Sequence, residues 1–505
     1  MSKALISVTD KSGVVEFAKK LDSLGYEVVS TGNTYKLISE SGIKATYIDE
    51  VTKFPEMLDG RVKTLNPYIH GGILYKRDDE KHIETVKKYN IDAIDIVVVN
   101  LYDFEGSLKA NKLHNEIIEN IDIGGPTLIR SAAKNYKDVL IVVDPKDYDD
   151  VIEKLSCNKV DMDYREKLAY KAFSTTGRYD SLISNYFMEK VGEESPDFLN
   201  ISFEKESDLR YGENPHQKAS LYKESYLHSS QLDYTQLHGK ELSFNNINDL
   251  SSTVDMLNEF DEIIAIAVKH TNPCGAAIGK TAYEAFKKCY EADRTSIFGG
   301  IVGINTTIDK KTASLLNEIF LEIVIAPDFT EEALEVLKSK KNIRLLKLNK
   351  KTSSKKEYDF KYLNGKLLVQ DKNTSDIGEI NVVTNKNPSK NQIEDMKFGM
   401  KIVKHMKSNA IAIIKDKVTL ALGPGQTSRV WALKNALENN DKDFNGATLA
   451  SDAFFPFADC VELSSSYGID SIIQPGGSLN DKDSIEKCNE KNVTMVFTGV
   501  RNFKH

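Results

Sequence analysis

The chain opens on a short apolar run, Ala4–Val8, and then a stretch from Gly13 to Leu24 whose apolar residues recur at helical spacing. A second apolar run, Glu27–Ser30, and another helical pattern from about Thr34 repeat the alternation. Two β-branched runs follow, Ile94–Asn100 and Val139–Asp144, with a helical segment between them. Strands that are apolar along their whole length are buried on both faces, so the pattern predicts a parallel sheet covered by helices on either side. From Asp161 to about Phe187 the periodicity is helical. About Glu189 to Asp208, with Gly192, Pro196 and many acids, it is lost, and the segment reads as a linker.

Beyond that linker the pattern is again α/β, and two stretches resemble each other. Ile263–Gly275 is followed by Arg294–Gly300, and Asn409–Asp416 by Ser451–Phe457. Each sets an apolar strand before a polar turn and, after a helix, an aromatic loop with small residues, which suggests an internal duplication. Between the copies, Lys338 to Lys361 is dense in lysine and reads as a solvated surface insertion.

A length of 505 residues implies more than one domain, and 40% hydrophobic with 28% charged residues is an ordinary globular balance. The net charge of -8 disfavours general binding to nucleic acid, so an anionic ligand needs a local site. No apolar run reaches the roughly 18 residues of a membrane span, and the N-terminus lacks the pattern of a signal peptide. The five cysteines, Cys157, Cys274, Cys289, Cys460 and Cys488, form no C-x-x-C pair. A reduced, cytoplasmic protein without a structural zinc site is the expectation.

Candidate chemistry gathers where strands hand over to helices. Thr9–Gly13 and Ser30–Thr34 each follow a strand and open a helix, where unpaired N–H groups favour an anion. Serine, threonine and glycine also cap ordinary helices, so either loop alone says little; two on neighbouring strands point toward a nucleotide phosphate. Arg61 and Lys63 lie in G-R-V-K-T-L-N-P, Asn100 and Tyr102 leave a strand in N-L-Y-D-F, and Ile121–Asn135 runs from Asp122 through two glycines to Lys134. Together they supply an acid, a phenol and two lysines for acid–base chemistry on a phosphorylated ligand.

These segments, with R-Y-G-E-N-P-H-Q, K-H-T-N-P-C-G-A-A, F-G-G, S-D-A-F-F-P-F-A-D and the closing R-N-F-K-H, resemble the bifunctional purine biosynthesis family. That family joins phosphoribosylaminoimidazolecarboxamide (AICAR) formyltransferase to inosine monophosphate (IMP) cyclohydrolase. The motifs run in the family's order from Thr9 to His505. The resemblance implies a parallel α/β domain over residues 1–195, similar to methylglyoxal synthase, that closes the purine ring of formyl-AICAR to give IMP. Thr9, Asp10, Lys11, Thr31, Gly32, Asn33 and Thr34 match its phosphate and ribose positions. Arg61, Lys63, Thr64, Asn100, Tyr102 and Asp122 match those around the base, and Lys134 matches the proton donor or acceptor. The sequence departs from many relatives at Thr9, Asn33, Asn66 and Asp103, the last adding a charge beside Tyr102.

For residues 196–505 the resemblance implies a duplicated cytidine-deaminase-like α/β fold that transfers formyl from 10-formyltetrahydrofolate to AICAR. Lys269 and His270 match the reacting pair and Asn409 a catalytic amide. Arg210, Tyr211, Gly299, Glu322, Arg429, Phe454 and Arg501 match the AICAR side; Val430, Asp459, Gly476 and Gly477 match the folate side. A homodimer is implied, with Arg210 reaching the partner's site. Cys274 has no second cysteine two residues on and no H-x-E before it, so the zinc-deaminase signature is missing and no catalytic metal is expected.

Overall fold

The structure is a computed structural model that describes residues 2–225, 232–349, 357–438 and 441–505. The chain divides into two compact units, one of Met1–Glu204 with Lys223–Leu227 and one of Lys205–Tyr222 with His228–His505.

The first unit begins β1 (Lys3–Ser7), α1 (Val14–Ser23), β2 (Glu27–Ser30), α2 (Gly32–Glu40), β3 (Ala45–Tyr47), α3 (Ile48–Thr52), α4 (Pro67–Leu74) and α5 (Glu80–Lys88). It continues β4 (Ile96–Val99), α6 (Phe104–Lys109), α7 (His114–Glu119), α8 (Gly124–Lys134), β5 (Leu140–Val142), α9 (Tyr148–Ser156) and α10 (Met162–Val191). The strands form one parallel sheet in the order β3-β2-β1-β4-β5. Leu5, Ile6, Val97 and Val98 are fully buried in it, as apolar strands with both faces covered must be. Against it pack the apolar stripe of α1, Val14, Phe17, Ala18 and Leu21, and Leu128, Ile129, Ala132 and Ala133 of α8.

Between the units' main elements, only 192–202 lacks regular structure in the predicted linker. Helix α10 runs on through Val191, and β6 (Phe203–Leu209) pairs with β7 (Ala219–Glu224) as a two-stranded ribbon.

In the second unit, β8 (Tyr234–His238) precedes α11 (Phe244–Leu257), β9 (Ile264–Lys269), β10 (Asn272–Ile278), α12 (Ala282–Ala292), β11 (Ile301–Ile304), α13 (Lys310–Asn317), β12 (Ile323–Ala326), α14 (Glu331–Lys338) and β13 (Arg344–Leu348). A ribbon of β14 (Tyr358–Leu363) and β15 (Lys366–Asp371) leads to β16 (Asn381–Val382) and α15 (Lys390–Val403). The last third is β17 (Ile411–Lys415), β18 (Val418–Gly423), α16 (Arg429–Glu438), β19 (Thr448–Ser451), α17 (Asp459–Ser466), β20 (Ser471–Gln474), α18 (Asp481–Glu490) and β21 (Thr494–Phe497).

Twelve strands make one sheet, β16-β21-β20-β19-β17-β18-β10-β9-β11-β12-β13-β8. Read outward from its centre, β10-β9-β11-β12-β13-β8 and β18-β17-β19-β20-β21-β16 have the same order and the same pairing senses, so the duplication is real at the level of topology. Side chains alternate across the sheet: Ile264, Ile266 and Val268 face the cluster of α11 and α15, while Ala265 and Ala267 face α12 and α13.

Two expectations change. Asn272-Pro273-Cys274-Gly275 is not the polar turn but the start of β10, and the turn is His270-Thr271 alone. The lysine-dense segment is not wholly a surface insertion, because β13 lies inside it with Leu345 and Leu346 fully buried. Its residues 350–356 lie outside the described residues.

Candidate active sites

In the first unit the strand order reverses between β1 and β4, where a doubly wound sheet opens a ligand crevice at its carboxyl ends. Asn100 joins the two loops there. Its Oδ1 accepts from the N–H of Thr9 (2.6 Å) and Asp10 (2.9 Å), and its Nδ2 donates to the Asp10 carbonyl (2.9 Å). Hydrogen bonds from Ser12 hold the Asp10 carboxyl below the usual range. Thr9, Tyr102, Asp103, Lys112 and Asn120 line a cleft of about 390 Å³ at this point.

The hydroxyls of the second loop are already engaged: Thr31 Oγ1 lies 2.9 Å from Ser7 Oγ, and Thr34 Oγ1 donates to the Val8 carbonyl (2.9 Å). An anion at this end therefore falls to the backbone N–H groups at the start of α2, around Gly32 and Asn33, and to nearby lysines. Lys63 is one of them. Its Nζ stands 3.6 Å from where a Cβ on Gly32 would be, and it pairs with Glu56 at 3.2 Å. Thr64 Oγ1 lies 3.1 Å from the equivalent point on Gly124, so the two glycines let the Lys63–Thr64 segment lie against the first turns of α2 and α8. Arg61 is exposed and paired with Glu119, and Lys11 Nζ donates to the Thr9 carbonyl at 3.2 Å.

Asp122, just before α8, accepts from the Gly125 N–H (2.8 Å), and its own N–H donates to Tyr179 Oη (2.8 Å). Burial raises its pKa, and the N–H groups of Gly125 and Tyr102 offset this only in part. If Asp122 is the base in ring closure, the acid limb of kcat/KM for that step lies above the ordinary aspartate value of about 3.9. A pH–rate profile on purified formyl-AICAR checks this, and a limb at or below that value removes Asp122 from the role.

Lys134 stands apart. It is the exposed last residue of α8, about 15 Å along the helix axis from Gly124 at 1.5 Å per residue. The structure thus brings Thr9, Asp10 and Lys11 together with Asn100 and Tyr102, Gly32 together with Lys63, and Thr64 to the start of α8, but carries Lys134 to the opposite end of that helix. Two of the departures have local causes: Asp103 caps α6 through the Gly106 N–H (2.8 Å), and Asn66 caps α4 through the Tyr68 N–H (2.9 Å).

In the second unit, β9 and β10 form a hairpin whose tip is His270 (φ 54°) and Thr271 (φ 62°). Two consecutive left-handed residues are the mark of a type I′ turn, which ordinarily takes Asn-Gly. Each non-glycine residue there costs about 1–2 kcal/mol. His270 is exposed, and Lys269 Nζ donates to the Phe298 carbonyl (2.9 Å). That bond brings Lys269 beside Gly299, whose N–H donates to Phe320 (2.8 Å) and whose φ of 73° suits glycine. Glu322 follows and pairs with Arg344 at 2.5 Å.

Asn272, next after the tip, ties this end to the second copy. Its Oδ1 accepts from the Lys407 N–H (3.0 Å), two residues before Asn409. Asn409 donates from Nδ2 to the Gln426 carbonyl (2.8 Å) and accepts from Arg429 Nη2 (2.9 Å). Arg429 is buried and pairs with the fully buried Asp452, which also accepts from the Ala410 N–H (3.1 Å) and Ser408 Oγ (2.5 Å). The Asn502 N–H donates to the Asp452 carbonyl (2.8 Å), which places Arg501 next to this group. Asp452 and Asn272 were given no role from the sequence, although both lie inside quoted motifs.

Phe454 follows β19, Asp459 opens α17, and Gly476 and Gly477 follow β20, the two loops joined by Phe455 N–H to Gln474 Oε1 (3.1 Å). A Cβ on Gly476 would meet the Phe497 ring at 2.5 Å, whereas at Gly477 the space is open. Val430 is half-buried in the first turn of α16. Arg210 lies over the ring of Tyr211 at 4.9 Å; among the described residues neither is hydrogen-bonded to Lys269 or His270. Among the described residues no three His, Cys, Asp or Glu side chains cluster as metal ligands, and no helix is long and apolar enough to cross a membrane.

Comparison with known proteins shows which family the chain belongs to. The family described as AICARFT/IMPCHase bienzyme matches residues 132–439, and the MGS-like domain family matches residues 13–127. The chain belongs to the AICARFT/IMPCHase bienzyme family. It is 63% identical over 510 residues to the bifunctional purine biosynthesis protein PurH of Clostridioides difficile (strain 630), covering 100% of both chains. PurH of Thermoanaerobacter sp. (strain X514) is 54% identical over 507 residues, covering 100% of this chain and 99% of the relative. PurH of Acetivibrio thermocellus is 53% identical over 513 residues, with 100% of both covered. As a bienzyme of this family the chain is a bifunctional enzyme of purine biosynthesis, an AICAR formyltransferase and IMP cyclohydrolase, and its first unit is MGS-like.

Proposed function

We propose that the two reactions are divided between the two units, with 10-formyltetrahydrofolate as the formyl donor in the second. The second unit is read as a pair of cytidine-deaminase-like repeats, supported by its duplicated strand order. Formyl transfer joins the AICAR amine nitrogen to the formyl carbon, breaks that carbon's bond to the folate nitrogen, and releases the amine proton. His270 takes that proton and gives one to the folate nitrogen as it leaves, Lys269 stabilises the charge on the formyl oxygen, and Asn409 orients the reactants through the hydrogen and lone pair its protein partners leave over. Arg210, Tyr211, Gly299, Glu322, Arg429, Phe454 and Arg501 are assigned to the AICAR side, and Val430, Asp459, Gly476 and Gly477 to the folate side.

The observation that carries this reading is the bond from Lys407 to Asn272, which seats the Lys269–His270 tip at the same end of the sheet as Asn409 and Arg429. In the first unit Lys63 and Tyr102 stabilise the formyl oxygen while the carboxamide nitrogen attacks the formyl carbon, and Asp122 accepts the proton that nitrogen loses before the protonated formyl oxygen leaves as water. Lys134 is assigned to this step by resemblance alone. Supplying AICAR and 10-formyltetrahydrofolate to the pure protein and following IMP tests the assignment; accumulation of neither formyl-AICAR nor IMP would refute it.

Arg210 has its only ring contact with its own neighbour Tyr211 among the described residues, which suits a residue supplied to another subunit. A homodimer is therefore expected in sedimentation, with transformylase activity falling on dilution below the dimer's dissociation range. A monomer with full transformylase activity would contradict the shared site.

A further inference from the structure

The duplication supplies a comparison inside one molecule. In the first copy the carboxylate of Asp249, on α11, accepts from the Thr271 N–H (2.7 Å) and the His270 N–H (3.3 Å). In the second, Asp395, on α15, accepts from the Lys417 N–H (2.7 Å) and the Asp416 N–H (3.0 Å). Asp416 and Lys417 are again consecutive left-handed residues, at φ 55° and 57°. Even the lysine before each tip is matched: Lys269 Nζ donates to the Phe298 carbonyl (2.9 Å) and Lys415 Nζ to the Asn445 carbonyl (2.7 Å). The preceding helices begin alike, Ser243-Phe-Asn-Asn-Ile-Asn-Asp249 and Ser389-Lys-Asn-Gln-Ile-Glu-Asp395, each capped by its serine.

The copies differ at the tip itself. Only the first carries a histidine, and among the described residues no hydrogen bond holds its imidazole. The position of the ring is then set by the backbone of a two-residue turn that neither His270 nor the β-branched Thr271 favours. Charge-assisted bonds to both N–H groups are what keep that turn in the left-handed region. We propose that Asp249 is a positioning residue for formyl transfer, acting through the His270–Thr271 turn, while Asp395 does the same structural work at a tip without chemistry. This rests on His270 being the base.

The test measures transformylase kinetics and melting of the full-length protein carrying Asp249→Ala, Asp249→Asn, Asp395→Ala, Asp249→Ala with Thr271→Gly, and His270→Ala. Asp249→Ala is expected to lower kcat about 10- to 100-fold with the AICAR KM changed less, since small displacements of a reacting group cost that much. Asp249→Asn, which keeps one acceptor, falls between it and wild type. Asp395→Ala, whose tip lies at the opposite end of β17 from Asn409, melts lower by a similar amount and keeps its turnover. Glycine at 271 accepts the left-handed conformation unaided and restores most of the Asp249→Ala loss. Equal kinetic effects of Asp249→Ala and Asp395→Ala, or no recovery with Thr271→Gly, would overturn the inference. Near-normal turnover of His270→Ala would overturn the underlying assignment of the base. If Asp249→Ala does not fold, the same decision is read from Asp249→Asn against Asp395→Asn, equal kcat values overturning the inference and a selective loss upholding it.

Discussion

His270→Ala is expected to abolish formyl transfer while leaving ring closure in the other unit at its normal rate. The ring-bound amine of AICAR is a weak nucleophile and must lose a proton as it attacks, and removing a general base typically costs about 100- to 10,000-fold. Alanine keeps the Cβ of the left-handed position, and His270 is exposed at a hairpin tip outside the core, so the substitution is expected to leave the fold in place. Lys269→Ala should reach a similar loss by a different route, removing the cation at the formyl oxygen, and also its bond to Phe298. The two losses should not add, since both residues serve one transition state. Rates for each step, measured separately with AICAR and with purified formyl-AICAR, check this. Retention of near-normal transformylase turnover with AICAR still bound would show that another group takes the proton.

The second large effect is expected from Lys63→Ala, which should slow conversion of formyl-AICAR to IMP by about 100-fold or more, the scale of losing one preorganised stabiliser of developing charge. Lys134→Ala should cost much less. Resemblance assigns Lys134 to this step, but in the chain it ends α8, while Thr64 and Asp122 lie at that helix's start and the Lys63 amine lies beside the start of α2. A large loss with Lys134→Ala and a small one with Lys63→Ala would reverse the assignment.

Much of this fold is legible because its strands are buried on both faces. Ile96–Val99 and Ile264–Val268 are continuous apolar runs with no competing reading once the helices between them are recognised. The hairpin at His270 is harder to read. Pro273 and Gly275 look like turn residues, yet they lie in β10 at a register irregularity, a setting in which an interior strand tolerates both. Strand β13 was hidden because Arg344 and Lys347 bracket its two buried leucines within a run of lysines.

Individual site residues follow the same division. Those in the motifs, such as Asn100 and Asn409, stand out by sequence, but the bonds that fix them come from elements far away along the chain. Asp249 carried a readable signal after all: the shared Ser-x-Asn-x-Ile-x-Asp pattern of α11 and α15 is visible once the two copies are aligned on their helices rather than on their strands.

The most direct test of a chain with two separable reactions is to mix the two defective proteins. His270→Ala alone and Lys63→Ala alone should each fail to make IMP from AICAR and 10-formyltetrahydrofolate, the first stalling at AICAR and the second accumulating formyl-AICAR. Mixed, they should make IMP, because the second supplies what the first can still cyclise. A mixture that stays as inactive as its components, with both proteins folded, would contradict the division of the two reactions between separate sites.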